Sequence, residues 1–182
     1  MFKLLILCGS IREASSSAAL ARAISQRLSQ KALVSTFDIG ALPHYDAGLE
    51  RPESIAGLIA AIGEAEGVLF ITPEYNYSIP GVLKNAIDWA SRPAYNSVFR
   101  GKPAFVISTS GGAMGGVRAQ SHLKYILDGM LARPFPWQEV VVPFAPKKIE
   151  EGRFTDGDVL DFATTALNAF IDWASQDIDR NR

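Results

Sequence analysis

The chain has 182 residues, 48% hydrophobic and 20% charged, with a formal net charge of −1. That length suits a single domain over residues 1–182 that buries its core without disulfides or metals. The near-neutral charge offers no basic field for nucleic acid or an anionic membrane surface, and a lone cysteine, Cys8, excludes an intrachain disulfide.

The first apolar run predicts a strand over residues 3–8. It is too short to cross a membrane, and a glycine turn follows where a cleavage site would be needed, so a cytoplasmic protein is expected. Leu20, Ile24 and Leu28 recur every fourth residue and predict a helix. A second strand is expected over 32–37. Pro52 is placed to open a helix at its first turn, with Ile55, Ile59 and Ile62 inward and Gly67 marking the exit. Residues 67–72 form the third strand. The third helix begins near Pro80-Gly81 and buries Val82, Leu83, Ala86, Ile87 and Ala90, with Lys84 and Asp88 outside. Residues 104–109 form the fourth strand. A fourth helix runs from about Gly116 to Leu131, followed by a loop at 133–137 and a fifth strand at 139–142. Thr155-Asp156-Gly157-Asp158 reads as a capping box for a last helix with Val159, Ala163, Ala166, Phe170 and Trp173 inward.

Strands that are almost continuously apolar, alternating with helices, indicate a parallel sheet covered on both faces. The expected fold is α/β, a flavodoxin-like doubly wound five-stranded sheet of order 2-1-3-4-5. Ligands bind such sheets outside the carboxyl ends of the strands, which directs attention to the loops after strands 1, 3 and 4.

Loop 1 places Ser10, Arg12, Ser15, Ser16 and Ser17 at a helix N-terminus. Free amides, hydroxyls and a guanidinium together suit a phosphate. Neither a dinucleotide glycine fingerprint nor a P-loop is present. A loop built on hydroxyls suits a terminal monophosphate such as that of FMN. Loop 2, residues 73–81, holds Pro73, Glu74, Tyr75, Asn76 and Tyr77 between two prolines, a rigid platform for the edge and face of a planar heterocycle. Tyr77 reads equally well as packing. Loop 3 contains Ser110, Gly111, Gly112, Gly115 and Gly116, and its glycines allow close backbone approach to a flat ring.

In these loops the sequence resembles the NADPH-dependent FMN reductase family of quinone, azo-dye and chromate reductases. Gly9-Ser10-Ile11-Arg12 with Ser15 carries the resemblance. So do residues 73–81 with Leu83-Lys84-Asn85-Ala86-Ile87-Asp88-Trp89, and Gly115-Gly116-Val117-Arg118-Ala119-Gln120. Ala14 and Ser17 depart from the glycine and asparagine common there. The resemblance implies non-covalent FMN, with Ser10, Arg12, Ser15 and Ser17 at the phosphate. Pro73, Glu74, Tyr75 and Asn76 would line the isoalloxazine, and Ser110 and Gly111 would touch it. It also implies NADPH or NADH as co-substrate, a hydride passing through the flavin to a small-molecule acceptor, and a homodimer or homotetramer. No side chain is expected as acid or base, and no metal. The alternatives are a flavodoxin-type electron carrier, disfavoured by the neutral charge, and a serine hydrolase using Ser110 with His122 or His44, disfavoured by the absence of a nucleophile-elbow motif.

Overall fold

The computed structural model describes residues 1–180. Strands β1 (Phe2–Cys8), β2 (Ala32–Thr36), β3 (Gly67–Pro73) and β4 (Pro103–Thr109) alternate with helices α1 (Ser16–Leu28), α2 (Glu53–Glu64), α3 (Gly81–Ala90) and α4 (Val117–Gly129). Then come β5 (Arg133–Pro134), β6 (Val140–Val142), a 3₁₀ turn (Ala145–Lys148), the short strands β7 (Ile149–Glu150) and β8 (Arg153–Phe154), and α5 (Gly157–Arg180). The main sheet has the order β2-β1-β3-β4-β5, with β6 also on β4, and every pairing within it is parallel. The expected flavodoxin-like order is therefore observed.

Alternation along the strands builds two cores. Leu4, Ile6, Leu69, Ile71, Phe105 and Ile107 face α1 and α5, where they meet Leu20, Ile24 and Phe170. Leu5, Leu7, Val68, Phe70 and Val106 face the other way, onto Ile55, Leu58, Ile62, Leu83, Ile87 and Leu123. Both faces of each central strand are dry, which is why the strands read as unbroken apolar runs.

Four local expectations are corrected. The fifth strand is split: Arg133 and Pro134, expected in a loop, pair with Pro103 and Ala104, whereas Val140–Val142 pairs with Ile107, Ser108 and Thr109. Pro134 and Pro136 have no amide to donate, and the chain leaves the ladder between the two pieces. In α2, Leu58 is fully buried and Ile59 only partly, because the 3.6-residue period runs through 55, 58 and 62. Pro52 is the N-cap of α2 rather than its first helical residue. At α5 the Asp156 carboxylate accepts from Val159 N (3.0 Å), while the Thr155 hydroxyl donates to the Lys148 carbonyl, so Asp156 is the cap. The β7–β8 hairpin is not foreseen at all. Among the described residues no helix is long and apolar enough to cross a membrane, and no cluster of metal-ligating side chains is found.

Candidate functional site

The carboxyl ends of β1, β3 and β4 bring the three loops together. Gly9 makes this possible at β1: a Cβ there would lie 2.7 Å from Thr72 Oγ1 on β3. Beyond it, Ser15 caps α1, its Oγ accepting from Ala18 N at 3.1 Å. Ser17 is buried, and its hydroxyl pairs with that of Thr109 at 2.8 Å, joining loop 1 to the end of β4. Two of the four serines thus hold the loop in place. Ser10 and Ser16 are half-buried and Arg12 is exposed. The first-turn amides of Ser16 and Ser17 are beyond reach of any intrahelical carbonyl.

Loop 2 is a tight hairpin. Tyr75 and Ser78 exchange both backbone hydrogen bonds, at 2.9 and 3.0 Å. Asn76 and Tyr77 both have positive φ, +49° and +67°, as a type I′ turn demands. Asn76 tolerates that conformation; a tyrosine there is strained. The Glu74 carboxylate turns onto α4, accepting from the backbone amides of Arg118 (3.1 Å) and Ala119 (3.4 Å) and from the Arg118 guanidinium (3.3 Å). That guanidinium lies 4.5 Å over the Tyr77 ring, and His122 Nδ1 is 3.0 Å from Ser78 Oγ. Tyr77 and Arg118 therefore clamp the loop to α4. His122 is engaged with Ser78, and Ser110 Oγ accepts from Gly112 N (3.1 Å), which gives no support to a Ser110–His122 couple.

In loop 3 the glycines divide by role. Gly115 (φ +60°) and Gly116 (φ +86°) lie so close to Val141 and Ser108 that an added Cβ would approach each to 2.9 Å. They serve the packing of α4 on the sheet rather than an open wall for a ring. Gly111 has room, with Pro146 at 3.9 Å from a Cβ placed there. The fully buried Gln120 donates to Ser108 Oγ (3.1 Å) and the Val140 carbonyl (2.7 Å), fixing α4 against β4 and β6.

The three loops enclose a cleft of about 150 Å³. Loop 1 lines it with Ser10, Arg12, Ser15, Ser16 and Ser17; loops 2 and 3 line it with Pro73, Glu74, Tyr75, Ser110 and Gly111. Asn76 does not line it; it sits exposed at the hairpin tip. Thr109, Ala145 and Pro146 line it without having been anticipated. Thr109 could have been picked out as the last residue of an apolar strand before a loop. The other two arrive through the turn at Phe144 (φ +49°) and the bond from Ala145 N to the Ser110 carbonyl (2.8 Å), for which the sequence holds no signal. Burial pushes the neighbouring Cys8 thiol up, opposed by its hydrogen bond to the Ser10 carbonyl and by the charge of Arg22.

The donor chemistry fits a phosphate monoester joined to a flat ring. Loop 1 brings hydroxyls, a guanidinium and free helix amides, with no carboxylate among its lining residues. Loops 2 and 3 bring an aromatic side chain and bare backbone. The N-terminus of α4, a competing anion site, is already satisfied by Glu74.

The sequence pattern of the NADPH-dependent FMN reductase family matches residues 2–147. A 2-hydroxy-1,4-benzoquinone reductase of Burkholderia sp. is 37% identical over 177 residues, 94% of this chain and 95% of that protein. An NAD(P)H-dependent FMN reductase of Pseudomonas aeruginosa is 38% identical over 176 residues, 94% of each chain. The solved structure of FerB, a flavoenzyme NAD(P)H:(acceptor) oxidoreductase from Paracoccus denitrificans, superimposes with a TM-score of 0.86 at 34% identity, over 97% of this chain and 98% of that one. Fold, cleft and sequence agree: the chain belongs to the NADPH-dependent FMN reductase family, enzymes that pair FMN with NAD(P)H.

Proposed function

We propose that the cleft binds FMN and that the chain passes reducing equivalents from NADPH or NADH to a small oxidised acceptor, with quinones first and azo compounds, metal oxyanions or free flavin as further candidates. The observation that carries this reading is the meeting of three loops in one cleft, one suited to a phosphate and two suited to a flat ring. When bound, FMN supplies a ring able to accept a hydride and give up electrons.

The chain's own residues bind and orient. Ser10, Ser16, the first-turn amides of α1 and Arg12 hold the phosphate. Ser15 and Ser17 keep that loop in shape through Ala18 N and Thr109. The backbone of Pro73, Glu74 and Tyr75 borders the ring on one side, and Ser110 and Gly111 on the other. Asn76 acts through its turn. No histidine lines the cleft, and the carboxylate of Glu74 is committed to α4, so no side chain is assigned as acid or base. Nicotinamide and acceptor share one opening and occupy it in turn, and copies of the chain associate as dimers or tetramers.

The test is direct. The purified protein should be yellow, release FMN on denaturation, bleach anaerobically with NADPH or NADH, and regain colour on addition of benzoquinone. Double-reciprocal plots at several acceptor concentrations should be parallel. A colourless protein that cannot be reconstituted with FMN refutes the reading, and intersecting lines refute the alternating use of one opening.

A further inference from the structure

Glu74 lines the cleft, and its carboxylate is bound to the first turn of α4. Two backbone amides of α4 and the Arg118 guanidinium hold it, and its side chain is only 13% exposed against 43% for Arg118. The two charges of the pair are not equally placed. The carboxylate belongs to a residue of the cleft wall, whereas Arg118, over the Tyr77 ring, does not line the cleft. A group bound in the cleft therefore feels the negative member first, attenuated by the positive member and by the N-terminal dipole of α4.

The geometry points to a tuning role for this pair: Glu74 and Arg118 together set how strongly the cleft prefers oxidised over reduced FMN. The inference rests on the functional reading above. Reduction adds negative charge to the flavin, and nearby protein charge adjusts that balance. Removing the carboxylate favours the reduced form. Removing the guanidinium leaves the carboxylate uncompensated and disfavours it. A purely mechanical role for the clamp makes a different prediction, because loosening the hairpin weakens both forms together.

Three variants separate the two. Glu74→Gln keeps an acceptor oxygen for the helix amides and removes the negative charge. Arg118→Gln removes the positive charge. Tyr77→Leu removes the stacking partner and keeps both charges. The dissociation constants of oxidised and of reduced FMN are measured for each by anaerobic fluorescence titration, and their ratio is checked by potentiometry. In Glu74→Gln the affinity ratio of reduced over oxidised FMN rises about threefold to tenfold. In Arg118→Gln it falls about threefold. In Tyr77→Leu both affinities drop alike and the ratio holds. A tenfold change in ratio is about 30 mV for a two-electron couple. Equal shifts in the same direction for both charge variants, or no shift in either, overturn the assignment while leaving FMN binding intact. A wild-type chain that takes up no FMN overturns the functional reading and this inference with it. Arg118 and Tyr77 are surface residues, so the Arg118→Gln and Tyr77→Leu arms stand even where Glu74→Gln does not fold.

Discussion

The Ser17–Thr109 hydroxyl pair joins the first turn of α1 to the last residue of β4, and it is open to a double-mutant cycle. Both residues are almost fully buried, at 1% and 2% exposure, and their oxygens are 2.8 Å apart. Ser17→Ala leaves the Thr109 hydroxyl without its partner at an almost fully buried position on the cleft wall, and the near-isosteric Thr109→Val does the same to Ser17. Leaving one buried polar group without its partner costs about 1–3 kcal/mol, whereas removing both partners is close to neutral. Each single variant should therefore lose about 2 kcal/mol, which lowers Tm by about 4–8 °C for a chain of this size. The double variant should recover most of that loss, giving a coupling energy of about 3–4 kcal/mol. Urea unfolding of the four FMN-free proteins, followed by circular dichroism, measures the cycle without ligand linkage. Two single losses that simply add in the double variant would refute the claim that these hydroxyls satisfy one another.

Arg12→Ala should raise the dissociation constant for FMN about tenfold and that for riboflavin less than about twofold, since a charge-assisted bond to phosphate is lost and nothing at the ring changes; equal effects in paired titrations would remove Arg12 from the phosphate. Gly116→Ala forces a side chain into φ +86° and to within 2.9 Å of Ser108 Cβ, and should cost at least about 1–3 kcal/mol in chemical denaturation; a neutral outcome would mean the α4 N-terminus is free to move. The Asp156 carboxyl is held below its usual range, chiefly by its hydrogen bond to Lys148 and then by Val159 N. Because its folded value lies below its unfolded value, the stability it contributes is full above about pH 4 and fades as pH falls through the depressed value. Asp156→Asn keeps the cap and drops the ion pair, so the stability gap between wild type and variant should be present at pH 7 and shrink by pH 3 in parallel urea titrations.

Strand positions and sheet order were legible because both faces of each central strand are buried, and continuous burial leaves a continuous apolar signature in Leu4, Leu5, Ile6 and Leu7 or in Val68, Leu69, Phe70 and Ile71. The loops were legible as a group, since hydroxyls, prolines and glycines cluster there. Individual side-chain roles were not. Whether Ser15 caps, Ser17 pairs with Thr109, or Ser16 remains free depends on where α1 starts and what it abuts. Gly115 and Gly116 look like ligand-side glycines until β6 is seen against the first and the end of β4 against the second. Glu74 reads as a cleft residue from its position, yet its partner is an amide 44 residues away. Long-range pairing of this kind has no local pattern. The same is true of the split fifth strand, where two prolines signal an interruption but not that pairing resumes on either side of it.

That split has a consequence for how copies of this chain can meet. Between its two short segments the β5–β6 border turns away from β4, and its first segment includes Pro134, which has no N–H to offer. This border of the sheet holds no long row of unpaired amides and carbonyls onto which a foreign strand could zip. The backbone itself disfavours strand addition along it, so recognition of any protein on that flank falls to side chains on helices and loops.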